Sequence, residues 1–250
     1  MSSLALQRSG PALVLTLRRA DALNALDEEL VDVLLAVLAE PPPDIGALVL
    51  TGEGDRAFCA GADLKRMATL EEAPLEAFLT ATSRLFRALA ELPLATIAAV
   101  NGHAHGAGAE LACACDLRVG CERTSFRFPG VRYGLAVGTW HLAGLVGTGA
   151  AKDLLLTARA VDAEEALRLG LLQRLVPRAR LLDEALAIAE EIASRPRDAV
   201  ASIKALLGEG FAGTIVERME REAIGTRDGR LRGRAQGLMA RTLGLQPAEE

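Results

Sequence analysis

With 250 residues, half of them hydrophobic and only 3% aromatic, this chain can bury a sizeable core of Leu, Ala, Val and Ile, as one large domain or one domain with an appendage. A formal charge of −5 offers no basic field to a nucleic acid, and no apolar run reaches transmembrane length, so neither nucleic acid nor a membrane is an expected partner. The first residues carry no basic flank followed by a long apolar run, and a soluble cytoplasmic protein is the expectation.

Strand-length apolar pieces fall at 5–7, 12–17 and 47–51. Between the last two, Asp27-Glu28-Glu29 favours a helix start, and Leu30, Val33, Leu34 and Leu38 make an apolar stripe over 27–39. Pro41-Pro42-Pro43 stops that helix. A second helical pattern covers 78–92 and is bounded by Pro93. The nearly all-apolar run 94–100 predicts a strand buried on both faces of a parallel sheet. A small-residue helix over 109–114 and a short strand over 117–120 follow. Strands feeding helices at this spacing predict an α/β fold with crossover connections.

From about Asp162 the pattern turns helical, with a helix over 163–169 ended by Gly170, a strand over 171–175 and an amphipathic helix over 181–194. Arg195-Pro196-Arg197 reads as a hinge. Helices over 200–207, 214–223 and 230–242 form a terminal region that needs a large partner surface, and 246–250 reads as a disordered tail. The four cysteines, at 59, 113, 115 and 121, lack zinc-ligand spacing and sit in apolar surroundings, so no metal is expected and they read as buried thiols.

Two stretches rich in glycine and alanine carry the chemistry: 56–65, and 101–111. Each ends a strand-like run and opens a helix-like one. Small residues there let backbone approach a ligand closely, and a helix start leaves amide N–H groups free to meet negative charge. Glu110 stands three residues after Ala107, on the same face of a helix. Two backbone donors beside one carboxylate suit the holding of an enolate and the movement of a proton next to it. A carboxylate buried in so apolar a run without a task is expensive. The N-terminal end of its helix is expected to favour the ionised form, which suits a base that orients water. A Gly-x-Ser-x-Gly elbow is absent, which speaks against a serine hydrolase. Neither glycine stretch spells the dinucleotide-binding fingerprint.

The pieces Phe58-Cys59-Ala60-Gly61-Ala62-Asp63-Leu64, Val100-Asn101-Gly102 through Gly106-Ala107-Gly108-Ala109-Glu110-Leu111-Ala112, Cys115-Asp116, Ser125-Phe126-Arg127-Phe128-Pro129 and Ala166-Leu167-Arg168-Leu169-Gly170-Leu171-Leu172, with Val176-Pro177 after it, occur in order. In them the chain resembles the crotonase, or enoyl-CoA hydratase/isomerase, superfamily from about residue 4 to about 206. That resemblance implies an α/β spiral of repeated β-β-α units with a C-terminal helical region. Residues 1–195 would form the spiral core with the acyl-CoA site, and 196–250 a region for trimerisation and site cover, in a homotrimer or a hexamer. It implies an enzyme of fatty acid metabolism with no separate cofactor, coenzyme A entering as the thioester part of the substrate.

Residue by residue, the resemblance makes the N–H groups of Ala62 and Ala107 an oxyanion hole, with Ala107 standing where many relatives have glycine. Ala60, Gly61, Leu64 and Gly106 flank these donors. Main-chain atoms of Asn24, Ala25 and Leu26 would pass near the adenine end. Arg19 and Lys65 are either phosphate partners or solvated bases. Asp63 is either a ligand contact or, as its place before a helix suggests, an N-terminal cap. Glu110 matches the first of two glutamates of family hydratases. The second is missing: its position is Gly130, and the run 131–142 is about three residues shorter than the common hydratase pattern. Tyr133, His105 and His141 are available as substitute proton carriers, with pocket lining, a hydrogen-bonded turn and a helix surface as their ordinary readings. Arg132 could pair with a carboxylated acyl group and point to decarboxylation. The reading is an enoyl-CoA-hydratase-like enzyme. The alternatives are a crotonase-type isomerase, decarboxylase or thioester hydrolase, or a catalytically silent acyl-CoA-binding homologue.

Overall fold

The computed structural model describes residues 2–208 together with 214, 216, 217 and 219–221. Ten strands fall among the described residues: β1 (Leu4–Ser9), β2 (Ala12–Leu17), β3 (Ala47–Gly52), β4 (Ala57–Cys59), β5 (Ala95–Val100), β6 (His103–His105), β7 (Leu117–Gly120), β8 (Ser125–Arg127), β9 (Ala160–Asp162) and β10 (Arg174–Leu175). They form a six-stranded sheet in the order β1-β2-β3-β5-β7-β10 and a four-stranded sheet in the order β4-β6-β8-β9. Only β1–β2 and β8–β9 pair antiparallel. The pairs β3/β4, β5/β6 and β7/β8 each send their first strand to the larger sheet and their second to the smaller one. This repetition is the expected spiral of β-β-α units.

Helices α1 (Glu28–Ala39), α2 (Leu64–Met67), α3 (Glu72–Glu91), α4 (Ala107–Ala114), α5 (Leu142–Val146), α6 (Thr148–Thr157), α7 (Ala163–Leu169), α8 (Leu181–Ala193) and α9 (Arg197–Gly208) cover the sheets. β5 is buried at every position, as a central parallel strand should be. Its alternate side chains serve two cores. Ile97 joins Val14, Val49 and Val119 beneath Leu181, Ala185 and Ile188 of α8. Ala98 and Val100 face the larger core with Leu15, Leu50, Leu34 of α1, Leu85 of α3 and Leu111 of α4. The period of two divides one strand between these layers.

Asp27 caps α1 by accepting the Leu30 N–H at 2.9 Å, which explains why the acidic run opens the helix. α3 begins at Glu72, six residues before the expected start, because Pro74 sits in its first turn, where a missing N–H costs nothing. The strand expected over 171–175 shrinks to Arg174–Leu175. Leu171 instead gives its carbonyl to the buried guanidinium of Arg118 (2.6 Å), which also donates to the Cys115 carbonyl (2.7 Å). The expected hinge lies between α8 and α9. Expected helices over 214–223 and 230–242, and the tail 246–250, fall outside the described residues apart from the scattered positions given above. All four cysteines are buried and unpaired, and burial pushes the Cys59, Cys113 and Cys115 thiols up to about 12. No helix among the described residues is long and apolar enough to cross a membrane.

Two buried asparagines tie the sheets together. The Asn101 amide donates to the carbonyls of Gly52 (2.9 Å), Gly54 (3.0 Å) and Ala57 (3.3 Å), and its oxygen accepts the Gly52 N–H at 3.0 Å. Asn24, held at φ 57°, donates to Glu53 and Ala57. Asn101→Ala is therefore expected to lower stability by about 2–3 kcal/mol in urea unfolding, because it removes the buried partner of both the Gly52 N–H and the Gly52 carbonyl. Arg8→Ala, which breaks the exposed Arg8–Asp44 pair and an exposed bond to the Gly10 carbonyl, is expected to leave the unfolding midpoint nearly unchanged.

Candidate active site

Two strand-to-helix turns meet where the sheets adjoin. After β4, Ala60 donates to the Leu23 carbonyl (3.0 Å), the Gly61 carbonyl accepts from Leu26 (2.8 Å), and Asp63 donates to the Leu26 carbonyl (2.8 Å). These bonds make a single parallel bridge between Leu26 and Ala62. Because alternate residues of an extended chain point their N–H groups oppositely, the Ala62 N–H faces away from Leu26. After β6, Gly106 donates to the Arg127 carbonyl at 2.8 Å, and α4 starts at Ala107, whose N–H belongs to the unpaired first turn. Among the described residues neither N–H meets a protein acceptor.

Glycine is required at both turns. Gly61 has φ 109° and Gly106 φ 51°, where a side chain is strained. A Cβ on Gly61 would also lie 2.8 Å from the His105 carbonyl oxygen and 3.5 Å from the Ala107 nitrogen. The backbones of the two turns thus touch, and Ala62 and Ala107 line one cavity of about 400 Å3.

Glu110 enters the same cavity one helical turn past Ala107 and is only 7% exposed. Burial pushes its carboxyl up from 4.5 to about 7, while the Trp140 indole and the Gly138 backbone amide pull it back toward the ionised form. Desolvation therefore outweighs the helix start, which by itself would keep Glu110 ionised as expected from the sequence. A carboxyl near neutrality can both accept and release a proton. Glu110 also borders a second cavity of about 920 Å3, between α3, α9 and the loop carrying Val137 and Trp140.

Across the first cavity a one-turn 3-10 helix, Gly130–Tyr133, stands where a second carboxylate was sought. A Cβ on Gly130 would lie 2.5 Å from Val137 Cγ2 and 3.0 Å from the Leu135 carbonyl oxygen. Leu135 N–H in turn donates to the Gly130 carbonyl at 3.0 Å. The loop has closed over this position, and a larger residue requires the loop to move.

Of the substitute proton carriers, His105 and Tyr133 line this cavity and His141 lines neither. His141 is buried beside the Trp140 ring at 4.2 Å, with no partner for either ring nitrogen among the described residues, and burial holds it down to about 4. It is not the helix-surface residue expected. Tyr133 is 57% exposed.

The residues expected along the coenzyme divide. Ala60, Gly61 and Leu64 follow β4, and Ala60, Leu64 and Gly106 line the cavity. Arg19 commits its guanidinium to Asp27 and Asp63, each at 3.0 Å, and to the Ala25 carbonyl at 2.6 Å. Asp63 caps α2 by accepting the Arg66 N–H, so the capping reading holds. Asn24, Ala25 and Leu26 are buried, and Leu26 holds the Gly61 turn in place, while Lys65 is exposed on α2. Two contributors were not singled out from the sequence. Trp140 bears on Glu110. Ser125 sits between His103 and His105; the His-x-His spacing puts both rings on one face of a strand, but only the pairing of β6 with β8 brings Ser125 to them.

A family model described as enoyl-CoA hydratase/isomerase matches residues 8–224. The chain belongs to that family. It is 35% identical to a short-chain-enoyl-CoA hydratase of Clostridium acetobutylicum, covering 90% of this chain and 89% of that one. It is 37% identical to a crotonyl-CoA hydratase of Syntrophomonas wolfei, covering 87% and 86%. Among solved structures, an enoyl-CoA hydratase from Bacillus anthracis superposes with a TM-score of 0.90 at 30% identity, over 98% of each chain. This member of the enoyl-CoA hydratase/isomerase family is therefore an enzyme with the crotonase spiral fold.

The raised Glu110 carboxyl has a consequence for stability. Between about pH 4.5 and 7 the native protein holds a proton that the unfolded chain releases, so this group's contribution falls as pH rises through that window. Glu110→Gln removes the effect. Its stability relative to wild type is expected to rise by about 2–3 kcal/mol from about pH 5 to about pH 8, measured by urea unfolding at both values.

Proposed function

We propose that this enzyme hydrates an enoyl-CoA thioester, holding the thioester oxygen on the N–H groups of Ala62 and Ala107 and using Glu110 to take a proton from water. The observation that carries the reading is that Ala62 and Ala107, whose N–H groups meet no protein acceptor among the described residues, line one cavity with the buried Glu110. Addition of water at the β-carbon pushes the double-bond electrons toward the thioester, and negative charge grows on its oxygen. Donors fixed by the two turns meet that charge without reorganising, an effect worth about 3 kcal/mol per donor in comparable sites. Glu110, whose carboxyl burial raises to about 7, accepts in its ionised form the proton that water gives up as its oxygen bonds to carbon.

Coenzyme A is the carrier of the acyl group in this reading, with its phosphates toward Lys65, since Arg19 is engaged within the fold. The region 196–250 would cover the site and join subunits into a trimer or hexamer. Exposed apolar side chains on α9, Ile203 at 58% and Leu207 at 72%, support a covering role. Gly130 supplies no acid, so hydration of crotonyl-CoA is expected to be slower than in a two-glutamate relative.

Glu110→Gln is expected to lower turnover of crotonyl-CoA by at least ~100-fold, the usual scale of general acid–base catalysis. Calorimetry with an acyl-CoA is expected to give an affinity close to that of wild type, because the amide keeps the shape of the cavity. Turnover equal to wild type removes Glu110 from the mechanism.

A further inference from the structure

One element of the site has no use in the reading above. β6 carries His103 and His105 two residues apart, so both rings lie on one face of the strand. On the paired strand β8, Ser125 is opposite His103, and its Oγ lies 2.8 Å from His103 Nδ1 and 3.1 Å from His105 Nε2. The two rings are 5.0 Å apart. His105 lines the cavity that holds Ala62, Ala107 and Glu110, whereas His103 is exposed. One hydroxyl has one proton: Ser125 donates to one imidazole and accepts from the other. The three side chains form a directed hydrogen-bonded chain from the cavity wall to solvent.

We propose that His105, Ser125 and His103 are a proton relay that delivers to the acyl α-carbon the proton for which Gly130 offers no donor. The proposal rests on the hydration reading. As the water oxygen bonds to the β-carbon, one water O–H bond breaks and its proton goes to Glu110. The π-electron pair moves toward the thioester. The α-carbon then takes a proton from His105 Nδ1–H, while Nε2 takes one from Ser125 Oγ–H and Ser125 takes one from His103 Nδ1–H. His103 takes a proton from solvent on Nε2, and Glu110 gives its proton to cavity water. That water returns a proton to His105 Nδ1, the Nε2 proton passes back through Ser125 to His103 Nδ1, and His103 Nε2 gives its proton to solvent, so the relay regains its starting tautomers. As many protons enter as leave, and the thioester has gained the elements of water. His105 is the catalytic residue of this relay, and Ser125 and His103 are positioning residues.

The surroundings suit a relay that passes protons without storing them. Burial, then His103 and Arg127, hold the His105 imidazole down to about 4, so it is neutral at working pH. Arg127 on β8 directs its guanidinium to the Ala158 carbonyl at 2.8 Å. Across the cavity stand Glu110 on α4 and Arg132 and Tyr133 on the 3-10 turn, and α3 presents the neutral Thr82 and Ser83.

The test is exchange of the α-protons of butyryl-CoA in deuterium oxide, followed by proton NMR, beside steady-state hydration of crotonyl-CoA. His105→Leu and Ser125→Ala are each expected to slow α-proton exchange and kcat by at least ~100-fold, with KM changed less than about threefold. Imidazole added to His105→Gly is expected to restore part of the rate. Ser125→Ala removes one oxygen and leaves the His105 ring, so it decides the matter if the His105 variants fail to fold. A cross-strand tie without a proton role lowers thermal stability in Ser125→Ala and leaves exchange unchanged. Exchange within about threefold of wild type in a folded Ser125→Ala overturns the relay while the hydration reading stands. A wild type that neither hydrates crotonyl-CoA nor exchanges butyryl-CoA protons overturns both.

Discussion

The approach of the Gly61 turn to the Gly106 turn is the constraint from which the rest of the site follows. The bridge between Leu26 and Ala62 fixes one turn from behind, and the Gly106–Arg127 bond fixes the other. With no Cβ on Gly61, the backbone of one turn can come within van der Waals reach of the Ala107 nitrogen. Ala62 and Ala107 then line the same cavity, and among the described residues no protein acceptor takes either N–H. The network of Arg19, Asp27 and Asp63 belongs to this support: it ties the start of α1 to the cap of α2, and so holds the first turn between them.

A second consequence is the environment of Glu110. α4 begins at the donor pair and runs directly into the larger core, where Leu111, Ala112 and Cys113 are buried. The residue one turn from the donors is thereby buried too, and desolvation rather than the helix start sets its proton affinity. Trp140 and Gly138, which temper that shift, come from the loop that also closes over Gly130. The absence of a second carboxylate and the setting of the first are therefore two properties of one loop. Restoring a glutamate at 130 displaces Val137 and disturbs both.

The parts of the fold with strong periodicity were legible in the residues. β2 and β7 match their expected bounds, α1 ends before the three prolines, and Gly170 closes α7 with φ 86°. The smaller sheet was not legible. β4, β6, β8 and β9 have three residues each, too few to display a period, and they are held by pairing across the spiral. Helices α5 and α6 escaped notice for a related reason: glycines at 144, 147 and 149 break their pattern. Within the site, the turns and Glu110 could be named from small residues and one misplaced charge. The engagement of Arg19, the burial of His141 and the bridging of two histidines by Ser125 depend on distant segments meeting, which spacing along the chain does not express.

In the proposed reaction two backbone N–H groups and Glu110 act on one acyl thioester. A crystal structure with a bound, non-reacting acyl-CoA analogue is the decisive test. The thioester oxygen is expected within about 3.2 Å of the nitrogens of both Ala62 and Ala107, with the Glu110 carboxyl beside the α- and β-carbons. A thioester oxygen bound elsewhere, with either N–H left unused, contradicts it.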